Sequence, residues 1–145
     1  ERQYLEVAAY LHDIGNFIRT SGHQKHSEYI VLNSEIFGLQ RDGLRIVGNL
    51  VRYHRKAGPS PSHPNYMSLP REDRAAVLKL SAILRVADAL DRGHTQRLHL
   101  TNLDIKEDHL ILQTDCQGDL SLERLSLAEK ADMFEDVFGL KVVLL

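Results

Sequence analysis

His12 and Asp13 stand side by side in the run Leu11-His12-Asp13-Ile14-Gly15, and both are metal-ligand side chains. Two further histidines, His26 and His54, and a distal carboxylate, Asp88, fall on inward-facing positions of separate apolar stripes. An ionisable group on a buried stripe is costly unless it is paired or hydrogen-bonded. Any one of these histidines alone is more simply a hydrogen-bonded core residue, and a His-Asp dipeptide by itself is a weak signal. Taken together, three imidazoles and two carboxylates are hard to satisfy by packing, whereas one shared cation satisfies them at once. The mixed nitrogen and oxygen donors suit Mn, Mg, Zn, Fe or Ni rather than a thiolate site. Such an ion with open positions polarises phosphoryl oxygens and acidifies bound water. On this reading His12, Asp13, His26, His54 and Asp88 are the metal ligands, and Asp13 is the catalytic residue.

Basic residues surround these positions. Arg52-Tyr53-His54-Arg55-Lys56 is the densest basic run, and Lys25 and Arg85 neighbour the other candidates. A solvated, salt-bridged face is the simpler reading for any one of them. Lys25, Arg55, Lys56 and Arg85 are nevertheless expected to bind phosphate, because arginine forks beside a metal make a polyanion cradle. Asp91, three residues after Asp88, is read either as an acceptor that orients a ligand histidine or simply as a pairing group in the neighbourhood of Arg92. His23, His63, His94, His99 and His109 lie in expected loops or near strand ends and are read as surface histidines.

The elements that must position these groups are mostly helical. Leu5, Ala8 and Leu11 have helical spacing over about Arg2 to Ile14, and Gly15 falls where a left-handed cap would sit. Asn16 to Lys25 reads as a loop. A second helix is expected from about His26 to Phe37, with His26, Ile30, Asn33 and Phe37 on one stripe and Gly38 ending it. A third, Asp42 to Lys56, carries Leu44, Val47, Leu50, Val51 and His54 on one face. The prolines of Gly58 to Pro64 force a surface loop. The fourth helix, Pro70 to Arg92, starts on a proline with acidic residues in its first turn. Beyond Gly93 the alternation of Leu98, Leu100 and Asn102, then Leu110 to Leu112 after Glu107-Asp108, predicts a hairpin. A helix from Leu122 to Phe138, closed by Gly139, and a strand from Leu140 to Leu145 complete the chain. The expected fold is mainly α: a helical domain over residues 1–95 and a small β-β-α-β appendage over residues 96–145.

Composition bounds the function. The 145 residues carry 43% hydrophobic and 26% charged side chains, as an ordinary globular domain does. A formal net charge of -2 gives no global field for nucleic acid, so no DNA partner is expected and anion binding must be local. The one cysteine rules out an internal disulfide, and no apolar run is long enough to span a bilayer. The expected compartment is the cytoplasm.

The words Leu11 to Ile18, Gly22-His23-Gln24-Lys25-His26-Ser27, Arg52 to Lys56 and Leu84 to Arg92 together resemble the C-terminal HD-type domain of the Ppx/GppA phosphatases. These are the exopolyphosphatases and guanosine-pentaphosphate phosphohydrolases, and the resemblance covers essentially the whole chain. It implies an HD-type helical bundle. His12 and Asp13 match the pair that names the HD superfamily, Asp88 its distal aspartate, and His26 and His54 the extra histidines of two-metal members. The superfamily's first histidine belongs to an earlier helix, and Arg55 stands where cyclic-dinucleotide HD enzymes carry a second histidine.

The resemblance further implies a longer parent whose upstream actin-like domains carry the exophosphatase reaction on polyphosphate or guanosine pentaphosphate. This domain would then bind metal or polyphosphate, with metal-dependent phosphohydrolysis as a further capacity. A homodimer is expected from the apolar last strand and the first helix, which starts in mid-register. The competing reading is a degenerate HD module that only grips polyanions or dimerises.

Overall fold

The computed structural model describes residues Glu1–Leu145, which divide into two compact units, Glu1–Leu84 and Arg85–Leu145. The chain is mainly helical with one small sheet, as its periodicity predicts. In order it runs α1 (Arg2–Leu11), a 3-10 turn (Ile14–Phe17), α2 (His23–Leu32), α3 (Arg41–Tyr53), the one-turn α4 (Pro64–Met67) and α5 (Arg71–Leu90). Then come β1 (Leu100–Lys106), β2 (His109–Thr114), α6 (Ser121–Lys130), α7 (Asp132–Phe138) and β3 (Lys141–Leu144).

In the first unit α3 is the central helix, packed by α1, α2 and α4. Val47, Leu50, Val51 and Tyr53 of α3 are almost wholly buried and join Ala8, Val31, Val77, Leu80 and Leu84 in one core. Gly48 lets α2 approach closely, since a Cβ there would lie 2.8 Å from Leu32 Cδ2. Asp42 in the first turn of α3 and Arg52 in the last oppose the helix dipole favourably.

The start of α2 departs from expectation. The helix begins at His23, not His26, and its buried face is His23, Gln24, Ser27, Glu28 and Val31. Four of these five are polar, so a search for apolar periodicity selects the wrong stripe. Phe37, expected on that stripe, lies beyond the helix and is fully exposed. The polar face survives burial because it is bonded. Ser27 Oγ donates to His12 O at 2.7 Å and accepts from Gly15 N–H at 2.9 Å. Glu28 accepts from Arg52 Nη1 at 2.8 Å and from Asn65 Nδ2 at 2.9 Å, tying α2 to α3 and α4.

Gly15 also differs from expectation. It is not a left-handed cap: α1 ends at His12 in right-handed geometry, and Gly15 sits inside the 3-10 turn. A Cβ there would lie 2.1 Å from His23 O and 2.4 Å from Ser27 N. Glycine is required for backbone-to-backbone contact.

In the second unit β1 and β2 form the expected hairpin, with Glu107 at φ +54° in the turn and pairs such as Leu103↔Leu112. β3 adds to β2 in parallel, giving the order β1-β2-β3. The expected single helix is two. In a continuous helix Phe134 N–H would bond Lys130 O; instead it bonds Ala131 O at 3.0 Å, and Lys130 O accepts from Arg85 Nε at 3.2 Å. Gly139 closes α7 at φ +69°.

Candidate metal centre

The turn that follows α1 places Asp13 in the bridge region (φ -99°, ψ 2°). The start of α2 contributes His23, and the end of α3 contributes His54. Their donor atoms all lie within 4.8 Å of one another. His23 Nε2 is 2.9 Å from Asp13 Oδ1, His54 Nε2 is 3.6 Å from the same oxygen, and the two Nε2 atoms are 3.2 Å apart. His12 flanks the group, its Nε2 3.5 Å from Asp13 Oδ2 and its ring edge-on to His54 at 4.9 Å.

The ring tautomers follow from elementary bonding. His12 Nδ1 lies 2.7 Å from Ala9 O and His54 Nδ1 lies 2.7 Å from Val51 O. A carbonyl only accepts, so each Nδ1 carries a proton and donates it. In the neutral ring Nε2 is then a lone pair, and both rings turn that lone pair toward Asp13. Anchoring a ligand histidine through its other nitrogen is how metal sites fix ring orientation.

The electrostatics favour ligand-ready forms. Hydrogen bonding from His54 when that ring carries both protons, opposed by burial and helped by the neighbouring imidazoles, holds the Asp13 carboxyl at about 2. Burial pushes His23 below its usual value, only partly offset by its bond to Thr20. An ionised carboxylate and a neutral buried imidazole are the states that bind a cation.

The spacing also fits an ion. Two donors held about 2.1 Å from one cation lie roughly 3.0–3.4 Å apart for angles between 90° and 109°. The observed separations of 2.9, 3.2 and 3.6 Å bracket that range.

Of the residues expected at the site, the structure brings His12, Asp13 and His54 together. His26, on the same helix as His23, is not among the converging donors. His23 takes that place. The sequence reads it as a surface histidine, yet it is only 6% exposed. The signal that could have found it is the i, i+4, i+8 series His23, Ser27 and Val31, polar at two of three positions. Of the other histidines read as surface, His94 and His99 are exposed, while His63 is half-buried and shares a 2.7 Å hydrogen bond between its Nδ1 and the Tyr53 hydroxyl.

The basic residues divide. Arg55 reaches the centre, its Nη1 3.2 Å from His23 Nδ1. Lys56 is exposed just past α3 and Lys25 is exposed on α2. Arg85 is buried in the second unit against Lys130 O and Asp132. In that unit Asp88 is ion-paired with Lys130 Nζ. Asp91 Oδ1 accepts from Gln96 N–H at 2.8 Å and so shapes the loop after α5.

Fold and site together define a mainly helical chain with a partly buried His/Asp cluster able to hold a cation. Residues 1–131 match the family model described as Ppx/GppA phosphatase, domain III. The chain therefore belongs to the Ppx/GppA phosphatase family, as its domain III.

Proposed function

We propose that this domain binds a divalent cation through Asp13, His23 and His54, with His12 beside them, and presents Arg55, Lys56 and Lys25 to a phosphate chain. The chain would be polyphosphate or the phosphate tail of guanosine pentaphosphate, the substrates that the family resemblance implies. One observation carries the reading: imidazole lone pairs and an ionised carboxylate converge at ion-sharing distances, with two rings fixed from behind by carbonyls. When bound, the ion supplies Lewis-acid polarisation of a phosphoryl oxygen. Asp13 is a poor proton acceptor at neutral pH because its carboxyl titrates at about 2. Its part in any hydrolysis is to hold the cation. Asp88 remains the expected distal ligand on the resemblance alone. A cytoplasmic, homodimeric parent with upstream actin-like domains belongs to the same reading.

The test is metal content after dialysis against Mn2+ or Zn2+. His23→Ala and Asp13→Ala should each weaken binding by at least roughly tenfold, the scale of losing a residue that supports a metal site. His26→Ala should keep it. Unchanged metal in the His23→Ala protein would overturn the assignment.

A second reading is favoured by the 2.9 Å contact of His23 with Asp13, which can close as a hydrogen bond without a cation. The domain is then a polyanion-binding or dimerisation module. Absence of bound metal from the wild-type chain would establish it over the first.

A further inference from the structure

Leu103 of β1 pairs with Leu112 of β2, which pairs with Leu144 of β3, so the three side chains share one face of the sheet. Leu112 and Leu144 are almost wholly buried, yet Leu103 is 60% exposed and Ile105, two residues on, is 62% exposed. The apolar layer over this face therefore stops short of β1, which is an outer strand in the order β1-β2-β3. The hairpin turn fixes which backbone groups of β1 face outward. Glu107 and Asp108 join Lys106 to His109 as a two-residue turn, so that pair exchanges both its bonds. Alternation makes Asp104↔Ile111 the next bonded pair. The N–H and C=O of Leu103 and Ile105 then point away from β2, and no hydrogen bond outside the ladder takes them. β3, the other outer strand, has only four residues, and its Leu144 O accepts from Arg124 Nε at 3.3 Å.

We propose that β1 pairs antiparallel with β1 of a second copy of this chain, about a two-fold axis at Leu103, joining two three-stranded sheets into one of six strands. This gives the homodimer of the reading above a surface, and it rests on the sheet alone, not on the metal assignment. Leu103 faces its own copy and exchanges both bonds with it, while Ile105 faces Thr101 on each side of the axis. The exposed Leu103 and Ile105 side chains of the two copies then cover one another. On the opposite face Asn102 meets Asp104, twice by symmetry, an amide donor against a carboxylate. Asn102 has a proton to give, since one N–H of Nδ2 bonds Gln113 Oε1 at 3.1 Å and the amide carries two. Moving the axis to Asp104 would set that carboxylate against its own copy, a like-charge pair. Charge thus selects the register. One strand edge buries less than the roughly 1,200 Å² of a standard interface, so the dimer forms with rising concentration.

Sedimentation of the 145-residue chain should show monomer passing to dimer as concentration rises toward about 1 mM. Leu103→Lys sets two ammonium groups together at the axis and should weaken association by roughly tenfold or more. Asn102→Asp, a surface change that repeats the test should Leu103→Lys unfold the monomer, should weaken it too. Asn102→Lys should tighten it, and added salt should cancel the gain. In a Cys116→Ser background, Leu103→Cys should oxidise to a covalent dimer, because a bonded antiparallel pair holds its Cα atoms about 5.5 Å apart, within disulfide reach. Ile105→Cys should not, its two copies standing four residues, about 14 Å, out of register. A chain that stays monomeric at about 1 mM overturns the proposal. Association unmoved by both Leu103→Lys and Asn102→Asp, or a covalent dimer from Ile105→Cys and not from Leu103→Cys, overturns it as well, and leaves metal uptake by Asp13, His23 and His54 unaffected. Slow amide exchange at Leu103 and Ile105 in a longer parent, with none in this chain, assigns the edge to another part of that parent and overturns it likewise.

Discussion

A histidine ligand is useful only when its unprotonated nitrogen faces the ion, and that is decided by what stands behind the ring. Ala9 O and Val51 O settle the matter for His12 and His54. Asp13→Asn keeps the shape of the carboxylate but removes its charge, so metal affinity should fall by roughly tenfold or more in equilibrium dialysis while the fold survives. The same shifts set the response to acid. The folded pKa of His23 is below 6.5, so as pH falls below 6.5 the unfolded chain takes up a proton that the folded chain resists. Stability from this group is therefore lost on acidification, down to its lowered folded pKa. Asp13 acts in the same direction lower down: its contribution is present above 3.8 and is lost as pH falls toward 2. Denaturant midpoints of the metal-free chain should fall between about pH 7.5 and about pH 5, and fall less in His23→Gln. Equal slopes in the two proteins would remove His23 as the cause.

At the scale of elements, the centre depends on how the turn after α1 sits on the start of α2. Gly15 makes that contact possible and Ser27 fastens it from both sides. Gly15→Ala forces backbone apart and should cost about 3 kcal/mol or more by urea unfolding. Ser27→Ala leaves Gly15 N–H and His12 O without their bonds and should cost about 1–3 kcal/mol. Both should also weaken metal binding, because Asp13 and His23 lie on the two sides of this contact. Metal affinity unchanged in a destabilised Ser27→Ala protein would separate the turn from the centre. The break at Ala131 has a comparable origin: a side chain from α5 takes a helical carbonyl, and the ladder restarts one residue on.

For the whole molecule, membership in the Ppx/GppA family as domain III fixes the phosphatase context. No helix is long and apolar enough to cross a membrane. With a net charge of only -2, affinity for a polyanion must come from a few local cations. Binding of a phosphate chain should therefore weaken with added salt, and Arg55→Ala with Lys56→Ala should flatten that dependence in titrations. A salt slope equal to wild type would place the polyanion elsewhere.

Sequence alone determined the mainly helical class, the hairpin, the Gly139 cap and the family, because apolar spacing and short motif words are local. It also marked His12, Asp13 and His54, each next to an apolar run that reveals its inward direction. It could not find His23, or separate it from His26, because the buried face of α2 is polar and is stabilised by bonds to His12, Arg52 and Asn65. It also could not assign Gly15, whose constraint is a backbone lying against it from a different element. Those outcomes depend on which donors and acceptors meet across elements, and only the tertiary structure brings them within bonding distance.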